Sequence, residues 1–226
     1  MTSLMGGARS TDIQLICFDL GHVLIRVRSD WHEACRIAGV TLDPARLTPD
    51  VTAAIHEAVV RNEIGLADQQ RFTQELAPLL GRTPQEIHRV TTAWLDRPYP
   101  GVMELLERLL AQPPAPLACL SNTNEHHWTL MTRPGGPHYL PLDRFHFRFA
   151  SHQLGTRKPQ EAIYQHVEQA SGVDPRSILF FDNLAPNVEA AAARGWRTCH
   201  IDQNADPVPQ IIACLRGYDL LPPDRA

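Results

Sequence analysis

Four polar side chains stand at or near the ends of short apolar runs in this sequence. Asp19 closes the run IQLICFDL, Ser121 follows PLACL and Asp182 follows ILFF, while Lys158 precedes a proline in a nearby loop. Two carboxylates on adjacent strands repel each other unless a cation lies between them, and their hard oxygen atoms suit magnesium. The hydroxyl and the ammonium suit the outer oxygens of a phosphoryl group. These residue types therefore predict a site for a metal ion and a phosphate.

Parallel strands must position these residues, because ligands of open α/β sheets bind at the carboxyl ends of the strands. Helix-like segments separate most of the apolar runs, and two of these segments begin near Pro159 and Pro186 and end at glycine. This alternation predicts an α/β fold with a doubly wound, mostly parallel, Rossmann-like sheet. The predicted strands are residues 13–20, 116–120, 145–150, 178–181 and 198–201.

A long segment without a convincing strand lies between the first predicted strand and Pro98. Its last helix opens with Thr83, Pro84 and Glu86, which form a capping box with proline at the first helical position. We therefore predict an α/β core at residues 12–25 and 100–221, and an all-helical insertion at residues 26–99. The helices predicted within the insertion are residues 31–38, 50–61, 68–80 and 84–95.

The composition is that of a globular protein with one substantial core. Of the 226 residues, 43% are hydrophobic and 20% are charged, and the formal net charge is -4. This charge gives no electrostatic reason to expect a nucleic acid or an anionic membrane as a partner. Five scattered cysteines favour reduced thiols and a cytoplasmic location. No apolar run reaches the roughly 20 residues of a membrane span, and both chain ends, MTSLMGGARSTD and LPPDRA, are expected to fray.

From about residue 13 to residue 201 the chain resembles the haloacid dehalogenase superfamily of aspartate-nucleophile hydrolases. Four segments carry the resemblance in order along the chain. They are FDLGHVL at residues 18–24, LSNTN at 120–124, RKPQEAIYQHV at 157–167 and FFDNLAPNVEAA at 181–192. The sequences of these segments are most similar to the branch that contains the α-glucose-1-phosphate phosphatases and the N-terminal phosphatase domains of epoxide hydrolases. In that branch the insertion after the first strand is a helical cap.

The resemblance implies a magnesium-dependent phosphatase that hydrolyses a small phosphorylated metabolite, such as a sugar phosphate. Asp19 would attack phosphorus and form an aspartyl-phosphate intermediate. Ser121, the Asn122 amide and Lys158 would hold the phosphoryl oxygens. The resemblance does not indicate an oligomeric state.

The resemblance also implies a set of magnesium ligands. They would be the Asp19 carboxylate, the Gly21 backbone carbonyl and the Asp182 carboxylate. Asn183 stands where many relatives have a second acid, so it would act at most through a water molecule.

Gly21 departs from the usual pattern of the superfamily. Most of its phosphatases have a second aspartate at this position, where it serves as the general acid and base, a role worth roughly 10² to 10⁴ in rate. An anomeric hydroxyl is more acidic than an ordinary alcohol, so a sugar 1-phosphate needs less protonation of its leaving group. His22, His126 and His127 are close enough in sequence to the motifs to be candidates for the cleft. The aromatic residues of the insertion are expected to form its core rather than to bind substrate; they are Trp31, Phe72 and Trp94.

Two alternative functions remain open at this stage. A 2-haloacid dehalogenase would also lack the second aspartate, but the resemblance indicates that dehalogenases need no metal and usually lack the acid at Asp182. A catalytically weak protein that binds a phosphate ligand would keep the pocket without turnover. The complete set of Asp19, Ser121, Lys158 and Asp182 favours the phosphatase over both.

Overall fold

The computed structural model describes residues 13–222, and the predicted N-terminal tail lies outside these residues. Residues 223–226 of the predicted C-terminal tail lie outside them as well, whereas Leu221 is buried in the core. The strands are β1 (Leu15–Phe18), β2 (Ile25–Val27), β3 (Leu95–Pro98), β4 (Leu117–Ser121), β5 (Phe147–Ala150), β6 (Ile178–Asp182) and β7 (Arg197–His200). Helices of the insertion are α1 (Trp31–Ile37), α2 (Pro49–Glu63), α3 (Gln69–Leu80) and α4 (Pro84–Ala93). Those that follow are α5 (Val102–Ala111), α6 (Glu125–Thr132), α7 (Ser151–Leu154), α8 (Glu161–Ser171), α9 (Ala185–Ala193) and α10 (Pro207–Gly217).

Five of the strands form one parallel sheet in the order β5-β4-β1-β6-β7, which confirms the predicted α/β fold class. β1 lies at the centre, and all four of its residues are buried. Phe18 pairs in register with Cys119 of β4 and with Phe181 of β6. The carboxyl ends of β1, β4 and β6 therefore lie side by side. Asp19 thus lies between Ser121 at the end of β4 and Asp182 at the end of β6.

The two faces of the sheet are buried in separate apolar clusters. Ile16 and Phe18 belong to the larger cluster, which includes residues of α5 and α10, whereas Leu15 and Cys17 belong to the cluster that includes residues of α8. Alternate residues of a strand point to opposite faces. Helices on both faces explain why β1 is apolar throughout rather than alternating with polar residues.

The interior of the insertion is helical, as predicted. Its core contains Ile55 from α2, Phe72 and Leu76 from α3, and Ile87 from α4. The capping box predicted at the start of α4 is present, since the Thr83 hydroxyl accepts from the Glu86 N–H and the Glu86 carboxylate accepts from the Thr83 N–H. Polar caps thus define where α4 begins.

The ends of the insertion differ from the prediction. β2 and β3 pair antiparallel, with Ile25 opposite Pro98 and Val27 opposite Leu95, so the prediction of no strand before Pro98 and of a helix through Leu95 was wrong. Each strand has three or four residues, and most of them are only partly buried. Such segments are stabilised by a partner about 70 residues away in the chain, which no local pattern reveals. The chain thus enters and leaves the insertion through one two-stranded ribbon.

None of the helices within residues 13–222 is long and apolar enough to cross a membrane.

Candidate active site

Two acids and one lysine meet at the carboxyl edge of the sheet. The Lys158 ammonium lies 2.8 Å from Asp19 Oδ1 and 2.7 Å from Asp182 Oδ2. Only 1% of the Lys158 surface is exposed. The cation that the two neighbouring carboxylates require is therefore the lysine itself, and the group of three carries a formal charge of about -1 when all are ionised.

Burial and mutual charge set the protonation of this group. Burial raises the pKa of Asp19 to about 7, Lys158 opposes that rise and Asp182 adds to it. Burial alone would lower the pKa of Lys158, but the two carboxylates hold it well above its usual range. Lys158 therefore remains an ammonium ion at neutral pH and keeps two buried carboxylates in one site.

Asp182 is fully buried, and both of its oxygens accept hydrogen bonds. Oδ1 accepts from the Leu184 N–H at 2.8 Å, Oδ2 accepts from Lys158, and the Asn187 amide donates to both oxygens at 3.1 Å. This network fixes the carboxylate that holds Lys158. The role of Asp182 as a direct metal ligand stays a prediction, and the side chain of the next residue, Asn183, donates to Gln203 at 2.7 Å.

The loop after β4 is held to the lysine loop by a reciprocal pair of hydrogen bonds. The Lys158 N–H donates to Asn122 Oδ1 at 2.8 Å, and Asn122 Nδ2 donates to the Lys158 carbonyl at 3.0 Å. Ser151 makes a second reciprocal pair, because its hydroxyl accepts from the Thr123 N–H and donates to the Thr123 carbonyl, both at 2.9 Å. Sequence reasoning missed Ser151, although its place directly after β5 is the same kind of strand-end signal that identified Ser121.

A cavity of about 180 Å³ lies between the core and the insertion, next to this charged group. Gly21, Ser121 and Asn122 line it from the core, and Asp19 adjoins it through Leu20. The other side consists mainly of apolar side chains. They include Ile25, Val27, Trp31, Val59, Phe72 and Trp94. Trp31, Phe72 and Trp94 were expected to serve only as core, and the structure places all three at the cavity wall as well.

The candidate histidines differ in their relation to the cavity. Within the described part of the chain, His127 lines it, whereas His22 and His126 are not among its lining residues. His22 has a positive φ of 58°, a conformation that is uncommon for a residue with a side chain. Burial lowers the pKa of His22, which favours its neutral form.

A group of histidines lies where α6 meets α4 of the insertion. The ring centroids of His88 and His126 are 4.7 Å apart, and those of His126 and His127 are 5.7 Å apart. His127 Nε2 donates to the Thr91 carbonyl at 2.7 Å. Burial lowers the pKa of His126 and of His127 to about 4, and neighbouring histidines, among them His138, act in the same direction. The folded protein therefore keeps the rings of His126 and His127 neutral at the junction.

We expect the protein to lose stability as the pH falls from about 6.5 to about 4 because of His126 and His127. In that range the unfolded chain binds protons at both rings and the folded chain does not, so protonation favours unfolding. Urea unfolding midpoints at about pH 7.5, 6 and 5 measure the effect. The double variant His126→Asn/His127→Asn should show a smaller decline. The raised pKa of Asp19 acts in the opposite direction in both proteins, so an equal decline in the two would contradict the prediction.

Comparison with solved structures shows that known proteins share the fold of this chain. In a structure of the HAD family enzyme BT-2542 from Bacteroides thetaiotaomicron, in complex with magnesium and inorganic phosphate, 20% of residues are identical to this chain. The TM-score is 0.69, and the match covers 87% of this chain and 98% of that chain. A protein described as a predicted HAD-like family hydrolase from Porphyromonas gingivalis is 27% identical, with a TM-score of 0.73, and the match covers 90% and 98% of the two chains.

Curated relatives match over shorter spans. Phosphatase MT3486 of Mycobacterium tuberculosis (strain CDC 1551 / Oshkosh) is 38% identical over 55 residues, which are 24% of this chain and 25% of that protein. The matches cover 14% and 25% of the lengths of two curated relatives, so the chain spans only a small part of each. A model of one protein family, described as haloacid dehalogenase-like hydrolase, matches residues 13–195. With the parallel sheet and the strand-end site in place, this match shows that the chain belongs to the haloacid dehalogenase-like hydrolase family.

Proposed function

We propose that the protein is a magnesium-dependent phosphatase that hydrolyses a small phosphorylated metabolite through an aspartyl-phosphate intermediate. The observation that carries the proposal is the buried group of Asp19, Lys158 and Asp182 beside a cavity that Ser121 also lines. The magnesium and phosphate bound by BT-2542 and the phosphatase among the curated relatives support it. Membership of the α-glucose-1-phosphate phosphatase branch, and with it a sugar phosphate substrate, remains a prediction.

In this mechanism Asp19 supplies the nucleophile. A carboxylate oxygen of Asp19 attacks phosphorus, the ester bond to the leaving oxygen breaks, and water then hydrolyses the aspartyl-phosphate. Ser121 donates to a phosphoryl oxygen, and the positive charge of Lys158 attracts the phosphate. The reciprocal hydrogen bonds with Asn122 hold the Lys158 backbone, so the lysine meets the phosphate from a fixed position. Because the side chain of Asn122 is engaged in this way, its backbone amide is the group left for the phosphate.

The oxygen atoms present fit a magnesium ion. Asp19 Oδ1 accepts from both Lys158 and the Leu20 N–H. Among the described residues no group donates to Oδ2, so this oxygen is open to a metal ion. The Gly21 carbonyl lies two residues further on. Magnesium usually keeps several waters and binds proteins through one or two carboxylates together with substrate phosphates. When bound, it would neutralise charge on the phosphoryl group. Each Asp182 oxygen accepts two hydrogen bonds, so Asp182 would be a direct ligand only if it gave up one of them.

We also propose that residues 26–99 act as a cap that covers the substrate. The cavity lies between side chains of this segment and those of the core. Glu63 of the segment lies 3.2 Å from Arg157, the residue next to Lys158, so an ion pair joins the two parts close to the charged group. Closure of the cap over the site excludes water from the reacting phosphate.

One observation favours the dehalogenase alternative. Lys158 lies between the two carboxylates and offsets one of their two charges, so their mutual repulsion is relieved without a metal ion. Dehalogenation would use the same Asp19 carboxylate to displace a halide from carbon. The two functions differ in their need for metal and in their product.

We expect p-nitrophenyl phosphate and acetyl phosphate to be hydrolysed with magnesium, and hydrolysis to stop in excess chelator and resume when magnesium is restored. Because Gly21 supplies no proton, these activated phosphates should react faster than primary alkyl phosphates, by up to about 10² to 10⁴. Undiminished hydrolysis of these phosphates in chelator would contradict the need for magnesium, and halide release from a 2-haloacid would identify a dehalogenase.

A readout independent of turnover is available, because Lys158 is the only lysine in the sequence. Nuclear magnetic resonance of protein labelled at lysine would therefore give one side-chain signal, from the centre of the site. We expect this signal to shift when magnesium and inorganic phosphate are added. A shift without any turnover would favour the phosphate-binding protein over the enzyme.

A further inference from the structure

The walls of the cavity on the side of the insertion offer an organic group mainly apolar contacts. Val59 lies on α2, Phe72 on α3 and Trp94 at the end of α4, and all three face the same cavity as Ile25 of β2 and Leu95 of β3. The cavity volume of about 180 Å³ is below the roughly 300 to 1,000 Å³ of pockets for drug-sized ligands. The space therefore suits a compact group.

Most polar side chains that line the cavity are already engaged within the protein. The Thr91 hydroxyl accepts from Gln69 Nε2 at 2.8 Å and donates to the His88 carbonyl at 3.0 Å. His127 donates to the Thr91 carbonyl, and the Asn124 side chain accepts from the His127 N–H at 2.9 Å. These groups hold the junction together, so few of their hydrogen-bonding positions are left for a ligand.

Two further polar groups of the lining lie at the end of α2. Asn62 is only 4% exposed, lines the cavity and donates through Nδ2 to the Ala67 carbonyl at 2.8 Å, while its Oδ1 has no hydrogen-bond partner. Glu63 also lines the cavity, but its charge is offset by Arg157. An unpartnered buried amide oxygen needs at least one donor, so the end of the cavity beside Asn62 has a place for an N–H or O–H group.

We propose that the site takes phosphate monoesters whose organic group is compact and mainly apolar and whose hydrogen-bond donor, where the group has one, is directed at Asn62. This inference rests on the proposed phosphatase function and specifies its substrate class. It favours such a group over the sugar that the resemblance implies, because a sugar carries several hydroxyls and the insertion side of the cavity presents mainly apolar side chains. Each hydroxyl buried without a partner weakens binding by about 5- to 150-fold.

The test compares two substrates that share a ring size and a primary alcohol as leaving group. We expect kcat/KM for cyclohexylmethyl phosphate to exceed that for glucose 6-phosphate by at least about 100-fold. Because the leaving groups match, the missing acid at Gly21 slows both reactions alike. The ratio of the two kcat/KM values therefore measures the preference of the cavity for the organic group. Acetyl phosphate has almost no organic group to place in the cavity. Its hydrolysis therefore measures the reaction at Asp19 in the same protein, independently of the cavity walls.

Two valines on one helix provide matched variants. Val59 lines the cavity, whereas Val60 is not among its lining residues, and both are half-buried. Val59→Thr replaces a methyl group by a hydroxyl of similar size, so it should lower kcat/KM for cyclohexylmethyl phosphate by about 5- to 10-fold. Val60→Thr should leave it unchanged.

The outcomes separate this inference from the proposed function. Hydrolysis of acetyl phosphate together with equal or faster turnover of glucose 6-phosphate would overturn the inference and leave the phosphatase intact. Equal effects of Val59→Thr and Val60→Thr would also overturn it. If no phosphate ester is hydrolysed, acetyl phosphate included, the proposed function fails and the inference fails with it.

Discussion

Asp19→Asn is expected to lower kcat/KM for p-nitrophenyl phosphate by about 10⁴-fold or more, because the amide cannot attack phosphorus. The change preserves shape, and the oxygen of the introduced amide can still accept from the Leu20 N–H, which donates to the carboxylate at 2.7 Å in the native protein. Lys158 keeps its pairing with Asp182. The variant should therefore fold, and thermal unfolding measured beside the kinetics establishes that it does.

A matched control for this change lies at the opposite end of the same sheet. Asp174 is an exposed acid that pairs with Arg176 just before β6 begins. Asp174→Asn removes the same charge without touching the candidate site, so it should leave kcat/KM unchanged. Activity of Asp19→Asn within about tenfold of the native value would contradict a covalent mechanism on Asp19.

Lys158→Met is expected to lower the free energy of unfolding by about 3 to 5 kcal/mol near pH 7, because it leaves two buried carboxylates without their cation. The loss should be smaller near pH 5. The folded-state pKa of Asp19 is raised above its unfolded value, to about 7 even with Lys158 present, so protonation of Asp19 favours the folded state below that pH. Stability from this source is lost as the pH rises through the folded-state value. Urea unfolding at the two pH values measures both effects.

A second variant keeps this prediction testable if Lys158→Met does not fold. Adding Asp182→Asn removes one of the two carboxylates, so Lys158→Met/Asp182→Asn should recover part of the lost stability. Neither variant should hydrolyse phosphate esters. An equal loss at both pH values, or no recovery in the double variant, would show that the lysine acts through packing rather than through charge.

The sequence was sufficient to predict the central sheet because the relevant pattern is local. The apolar runs around β1, β4 and β6 each end in a polar residue, and parallel pairing brings those ends together whatever the connecting helices do. Asp19, Ser121, Lys158 and Asp182 could thus be proposed as one site from the sequence alone. The capping box at Thr83 was equally accessible, since a few neighbouring positions define it.

Features that depend on distant partners could not be predicted in this way. β2 and β3 stabilise each other across the whole insertion, and nothing in either segment indicates its partner. The engagement of Asn122 with the backbone of Lys158, and of Ser151 with Thr123, depends on how loops meet after the sheet has formed. Charge repulsion alone suggested a metal ion between the two acids. It did not reveal that Lys158 pairs directly with both of them.

The ribbon of β2 and β3 has a consequence for how the chain folds. β1 must pair with β4, and roughly 100 residues separate the two strands. If the insertion folds first, pairing of Ile25 with Pro98 bypasses most of that segment and leaves a loop of roughly 26 residues to close. Loop-closure entropy depends on the logarithm of loop length, so this shortening lowers the cost of forming the central sheet by about 1 kcal/mol, or roughly fivefold in rate. Residues 26–99, which we propose to act as a cap, would then also speed assembly of the core.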